Sequence, residues 1–310
     1  MESVFIQPSV AVLISFVIAI KAYRRKSLDV TGAVAGFIVM TLHFAISYRF
    51  GAILLVFFFT SSKLTKVGED KKRRFDAEFK EGGQRNWIQV LSNSGIASVL
   101  VLAVWRLAGW EDKCLDGKES VVITSLIGGI IGQYSCCNGD TWSSELGVLS
   151  DAQPRLITTF KEGVMYAGHP YVKLLSLLRH LVNDPVRRGT NGGVTLAGLL
   201  AAAAAGGVIG LAFVLIGFFT TKCVFDVALK QLLVIPVAAL AGLCGSLIDS
   251  LLGATLQFSG FCTVRNKVVG KPGPTVRKIS GLDILDNNAV NLVSILLTAL
   301  LSSVGCAYIF

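Results

Sequence analysis

Four stretches of this sequence bring together carboxylates, glycine turns and arginines, the residue types that handle phosphate groups. Cys137-Asn138-Gly139-Asp140-Thr141-Trp142-Ser143-Ser144-Glu145-Leu146-Gly147 holds two carboxylates, Asp140 and Glu145, and Gly245 to Gly253 adds Asp249. Carboxylates so grouped can hold Mg²⁺, a hard cation that takes one or two of them and fills its shell with water and phosphate oxygens. Asp249 falls inside an apolar run, where an unpaired charge costs about 3 kcal/mol or more, so a partner or an ion is expected there.

The other stretches suit the phosphates themselves. In Lys80-Glu81-Gly82-Gly83-Gln84-Arg85-Asn86-Trp87 the glycine pair can present backbone N–H groups and Arg85 a planar fork of donors. Arg187-Arg188-Gly189-Thr190-Asn191-Gly192-Gly193 leads into an apolar segment, and a helix beginning there would offer N–H groups to an anion. Asp286, Asn287, Asn288 and Asn291 recur at near-helical spacing and could complete an oxygen-rich site, which Asp283 would help to close. Each stretch also has a plainer reading. Asn138, Gly139 and Asp140, like Asp286 and its neighbours, are residues that cap helices, and Gly82-Gly83 suits a flexible turn. Other chemistries lack their signatures: His43, His169 and His180 have no metal-ligand spacing, no Ser/His/Asp set is visible, and Gly163 to Gly168 runs into His169 where a Walker loop needs Lys.

The elements that must position these residues are set by composition. The chain has 310 residues, 53% hydrophobic and 16% charged, with 32 glycines, a balance that fits lipid better than water as the solvent. A span needs about 20 mostly apolar residues. Candidate spans lie at 4–20, 30–47, 50–62, 88–108, 120–137, 194–219, 231–252 and 290–310, which predicts an all-α, polytopic bundle of about eight helices forming a single domain. Most of the 29 Lys and Arg residues fall in alternate loops, after the first, third, fifth and seventh spans. Basic loops resist translocation, so these face the cytosol and both termini face away. All four polar stretches then lie on the cytosolic side. The net charge of +9 is read as a basic rim beside anionic lipid, and no nucleic acid is expected. The run from Lys71 to Arg74 is read mainly as a topology signal.

Small residues at Gly32 and Gly36, Gly128 and Gly132, and Gly206 and Gly210 have the spacing of close helix contacts. Tyr171 to Val182 has one polar and one leucine-rich face, as a helix lying in the membrane interface would. The seven cysteines include no C-x-x-C pair; Cys136, Cys223, Cys244 and Cys306 are read as small hydrophobes in packed helices. The start, Met1-Glu2-Ser3, lacks the basic region of a cleaved signal and the leader of an organelle transit peptide.

Gly83-Gln84-Arg85-Asn86-Trp87, Gly139-Asp140-Thr141-Trp142-Ser143-Ser144-Glu145, Gly189-Thr190-Asn191-Gly192-Gly193 and Asp249-Ser250-Leu251-Leu252-Gly253-Ala254 together resemble the transmembrane protein nineteen family, over nearly the whole chain. That family includes plant phytyl-phosphate kinases of the vitamin E pathway, which use CTP to make an isoprenyl diphosphate, and plant members named as growth regulators, which this sequence looks closer to. Against that pattern, 162–185 looks like an inserted segment. The resemblance implies an isoprenyl-phosphate kinase with Mg²⁺ and CTP as cofactors and membrane lipid and an isoprenyl phosphate as partners. Asp140, Glu145 and Asp249 would be catalytic and metal-binding. Gly83, Arg85, Asn86, Arg188, Thr190, Asn191, Gly192, Gly193, Asp283, Asp286 and Asn287 would hold phosphate or nucleotide. An endomembrane or the plasma membrane is expected rather than a plastid. A non-catalytic membrane regulator and a transporter stand as rival readings.

Overall fold

In a computed structural model of the chain, residues 2–75, 83–158 and 184–310 are described. The architecture is a polytopic helical bundle. Its elements are α1 (Glu2–Arg24), α2 (Val30–Ile46), α3 (Tyr48–Thr65), α4 (Glu69–Phe75), α5 (Trp87–Ala108), α6 (Gly117–Gly147), α7 (Leu196–Thr220), α8 (Phe225–Lys230), α9 (Val234–Leu256) and α10 (Asn287–Ile309). Among the described residues six helices are long and apolar enough to cross a bilayer, and α2 is a shorter apolar one. With α3, they occupy the eight predicted segments. The expected interfacial helix at Tyr171 to Val182 and most of the expected insertion at 162–185 lie outside the described residues.

The bundle is organised around α6, which packs against α3, α5, α7, α9 and α10. The stretch from Ile127 to Gly139 is buried without interruption, because neighbours cover every face of the helix. Small residues allow that crowding: an added Cβ on Gly128 would sit 2.6 Å from Cys306 Cβ of α10, and one on Gly242 of α9 would sit 2.6 Å from the Ala202 carbonyl of α7. The predicted contact spacing at Gly206 and Gly210 is used against α9, whereas Gly32 is pressed against the Arg85 carbonyl in a loop rather than against a helix.

Two small antiparallel sheets stand at the end carrying the basic loops. One orders β2 (Asp184–Pro185), β1 (Arg155–Leu156) and β3 (Gly193–Val194); the other orders β5 (Lys267–Val269), β4 (Ser259–Cys262) and β6 (Val276–Ser280). In register, Arg155 faces both Pro185 and Val194, and Phe261 faces Val268 and Arg277.

The opposite end is fastened by polar links. Arg49, almost fully buried, pairs with Asp112, donates to the Lys113 carbonyl at 2.5 Å and lies over the Phe213 ring at 4.6 Å. Thr221 Oγ1 donates to Asp112 Oδ2 at 2.9 Å. Beside this network Cys114 and Cys223 form a disulfide joining the α5–α6 and α7–α8 connections. Cys223 is therefore a cross-link and not the packed hydrophobe expected from its apolar surroundings; Cys136 and Cys306 are buried and free, as read.

Candidate functional site

The fifth apolar segment, expected to stop at 137, continues as helix to Gly147, about 15 Å further along the axis. Asn138, Gly139 and Asp140 are therefore helix interior, not caps. Asn138 is fully buried; its amide donates to the Ala205 carbonyl at 3.0 Å and its oxygen accepts from Thr60 at 2.9 Å and Ser61 at 3.2 Å, tying α6 to α7 and α3. That tie fixes the rotation of α6 two residues before Asp140.

Asp140 of α6 and Asp249 of α9 lie within hydrogen-bonding reach of each other, both partly buried. Residues from α10 hold the far side of Asp249. Ser294 Oγ donates to Asp249 Oδ2 at 3.0 Å, and the Asn291 amide, turned to its satisfied orientation, donates to the same oxygen at 3.3 Å. Among the described residues no cation lies within ion-pair distance of either carboxylate.

Cations instead gather around Glu145. Lys72 Nζ lies 2.5 Å from Glu145 Oε2 and also donates to the carbonyls of Leu64 and Thr65 at the end of α3. Arg85, whose guanidinium donates to Ser62 Oγ at 3.0 Å, feels the charge of Glu145 as well: burial lowers its pKa, and Glu145 opposes that. Glu145 is thus drawn toward Lys72 and Arg85, and among the described residues no three His, Cys, Asp or Glu side chains gather as a metal site. Of the three carboxylates expected to act together, Asp140 and Asp249 lie side by side and Glu145 turns to Lys72.

The chain matches the family described as integral membrane protein DUF92 over residues 13–165 and 176–299. It belongs to that family. It is 69% identical over 300 residues to Protein PGR of Arabidopsis thaliana, covering 97% of this chain and 96% of that one. It is 29% identical over 259 residues to an uncharacterised membrane protein of Methanocaldococcus jannaschii, covering 81% and 84%, and 27% identical over 260 residues to one of Synechocystis, covering 80% of each. No solved structure matches.

In this DUF92 chain the remaining predicted residues go elsewhere. Gly83 has a positive φ of 59°, and the backbone beyond it clamps the α1–α2 connection: Arg85 N donates to the Ser27 carbonyl and Asp29 N to the Arg85 carbonyl. Asn86 is the N-cap of α5, in a reciprocal capping box with Gln89, so its side chain is already used. Thr190 to Gly193 do not begin a helix. Thr190 Oγ1 bonds the Arg187 carbonyl, Asn191 bonds the Phe258 carbonyl and Ser259 Oγ, and Gly192, at φ 76°, packs its Cα against Ser250 and Ala254 of α9. The N-terminal N–H groups of α7 belong to a later cap, Thr195, whose Oγ1 accepts from Gly198 N. Asp286 caps α10 through Ala289 N, Asp283 and Asn287 are exposed, and Arg188 bonds the carbonyls of Val148 and Asp151.

Lys72 was hidden in the run read as a topology signal, and nothing in the run itself marks which of its members turns inward. Ser294 carries a signal that can be found: on the face of α10 bearing Asn291, it is the next polar position one turn on.

Proposed function

We propose that this protein transfers a phosphoryl group to a membrane-held isoprenyl phosphate, using Mg²⁺ and CTP, at the end of the bundle carrying the basic loops. The observation supporting this reading is the Asp140–Asp249 pair, two carboxylates from different helices in mutual contact with no cation in ion-pair distance among the described residues, beside a second cluster that supplies Lys72 and Arg85. Two like charges at that separation need a shared proton or a cation between them. Mg²⁺ suits the donors present, because it takes one or two carboxylates and leaves its other positions to water and phosphate oxygens. Bound there, it would neutralise phosphate charge, the main requirement of phosphoryl transfer.

The residues of the chain have separate tasks in this reading. Ser294 and Asn291 orient Asp249 by donating to its Oδ2. Lys72 and Arg85 provide positive charge for transferring oxygens, with Glu145 holding Lys72 and Ser62 holding Arg85 in place. The apolar tail of the substrate would remain among the helices.

The test is an assay of the purified chain with CTP, Mg²⁺ and phytyl or geranylgeranyl phosphate, scored for diphosphate. Asp140→Asn and Asp249→Asn are expected to lose about a hundredfold or more in rate. Absence of product from folded wild-type protein, or an undiminished rate in folded Asp140→Asn, would reject the reading; the second result favours a non-catalytic role.

A further inference from the structure

We infer a binding site for the anionic headgroup of a membrane lipid in the cavity of about 290 Å³ between α3, α7 and α8, at the end of the bundle opposite the basic loops. Arg49 forms its buried end, Phe213, Gly217 and Phe218 of α7 and Ala228 of α8 its sides, and the exposed Lys222 its rim. The volume is close to the lower limit of small-molecule sites, about 300 Å³, so it suits a headgroup and the first carbons of a chain.

Two cations and, among the described residues, no carboxylate line this cavity. Arg49 spends Nε and Nη2 on Asp112 and the Lys113 carbonyl, while its Nη1 makes no hydrogen bond among the described residues. Stacking on Phe213 uses the face of the guanidinium and leaves that in-plane donor over. Asp112 offsets the charge of Arg49, whereas Lys222 pairs with no carboxylate among the described residues, so the cavity keeps a net positive charge. A headgroup of net negative charge complements it; a zwitterionic one would bring its own cation toward Lys222.

The rim is fixed before a ligand arrives. Thr221 Oγ1 donates to Asp112 Oδ2 at 2.9 Å and Cys223 is bridged to Cys114, so the residues on both sides of Lys222 are tied down. A site held in this way loses less freedom on binding than a loop on an open surface does. Phe218 in the wall is exposed, and so are Val224, Phe225 and Leu229, which flank Cys223 and Ala228 in sequence. Such an apolar collar suits a segment lying at a membrane surface, where a lipid headgroup already sits at the depth of the cavity. The site stands at the far end of the bundle from Asp140 and Asp249, so it goes beyond the proposed transferase.

The experiment is native mass spectrometry of the full, delipidated chain in detergent, titrated separately with dioleoyl phosphatidylglycerol and dioleoyl phosphatidylcholine. Wild type is expected to bind phosphatidylglycerol about tenfold more tightly than phosphatidylcholine. Lys222→Gln removes the rim charge and Ala228→Phe fills the cavity, and each should weaken phosphatidylglycerol binding about tenfold. Lys118→Gln, which removes an exposed cation at the start of α6 outside the cavity, should bind as wild type does, and so should Asp140→Asn. Equal binding of the two lipids, or undiminished binding in folded Lys222→Gln, refutes the site. An equal loss in Lys118→Gln refutes it too, as a general attraction to charge, and a loss in Asp140→Asn does so by placing the lipid at the carboxylate pair. Should Ala228→Phe fail to fold, Ala228→Leu replaces it, and Lys222→Arg is expected to restore binding. Absence of diphosphate product with phosphatidylglycerol binding intact would reject the transferase alone.

Discussion

Lys72 meets Glu145 at 2.5 Å with only 7% and 19% of their side chains exposed, joining the short α4 to the end of α6. An ion pair this sheltered is costly to break from one side, because the remaining charge keeps its desolvation penalty without its partner. Lys72→Met is expected to lower stability by about 3 kcal/mol, and Lys72→Met/Glu145→Gln to recover more than half of that. Thermal unfolding of the detergent-solubilised variants measures both. Equal losses in the single and double variants would show that Glu145 gains nothing from Lys72.

The Cys114–Cys223 bridge closes a loop 109 residues apart in sequence, at the end opposite the basic loops. Basic loops mark the cytosolic side, and disulfides persist in oxidising compartments, so the two signals agree on one orientation. Intact cells should therefore yield a protein in which both thiols resist maleimide until a reductant is added. Cys114→Ser should lower stability by up to roughly 4 kcal/mol, the upper end expected for so long a loop. Immediate labelling of these two thiols without reductant would contradict the bridge.

Hydropathy made most of the bundle legible, because a lipid-facing helix must be apolar over its whole length whatever its neighbours are. It misplaced the end of α6 for the same reason: Asn138 and Glu145 look like an exit from the membrane, but their polar groups are satisfied by Thr60, Ala205 and Lys72, which lie far away in sequence. The cost of a charge in an apolar run called for a partner or an ion at Asp249 but did not name Asp140 as its neighbour. Glycine turns misled more. Gly192 looked suited to an approaching phosphate and is occupied by Ala254, since a missing Cβ serves a helix neighbour as well as a ligand. A disulfide between two short connections has no local pattern at all.

Asn138 shows how the packing and the site are linked. Replacing it with Leu leaves the Ala205 carbonyl without its donor in a buried setting and frees Thr60 to rely on the Val56 carbonyl it already reaches at 2.8 Å. A stability loss of about 1–3 kcal/mol is expected. Trp142, whose indole N–H donates to Thr60 at 3.3 Å, should register the change as a shift in emission, read in a background where the other three of the four tryptophans are replaced by Phe. Unchanged stability would mean that the amide makes no net contribution.

Gly139 gives the sharpest separation between helix contact and chemistry. A Cβ there would lie 2.5 Å from the Gly242 carbonyl oxygen and 2.9 Å from its carbonyl carbon, both backbone atoms of α9 that no rotamer change can move aside. Gly139→Ala must push α6 away from α9, beside the place where Asp140 meets Asp249. It is expected to cost about 1–3 kcal/mol and to reduce transfer activity even in the fraction that folds. Gly95 of α5 is the matched control, with nothing within 4 Å of an added Cβ. Gly95→Ala should leave activity unchanged and raise stability by about 0.5–1 kcal/mol, because alanine gives up less backbone freedom in a helix. Thermal unfolding and the diphosphate assay on both variants decide the matter. If Gly139→Ala matched Gly95→Ala in both, the spacing of these two helices would not govern the carboxylate pair.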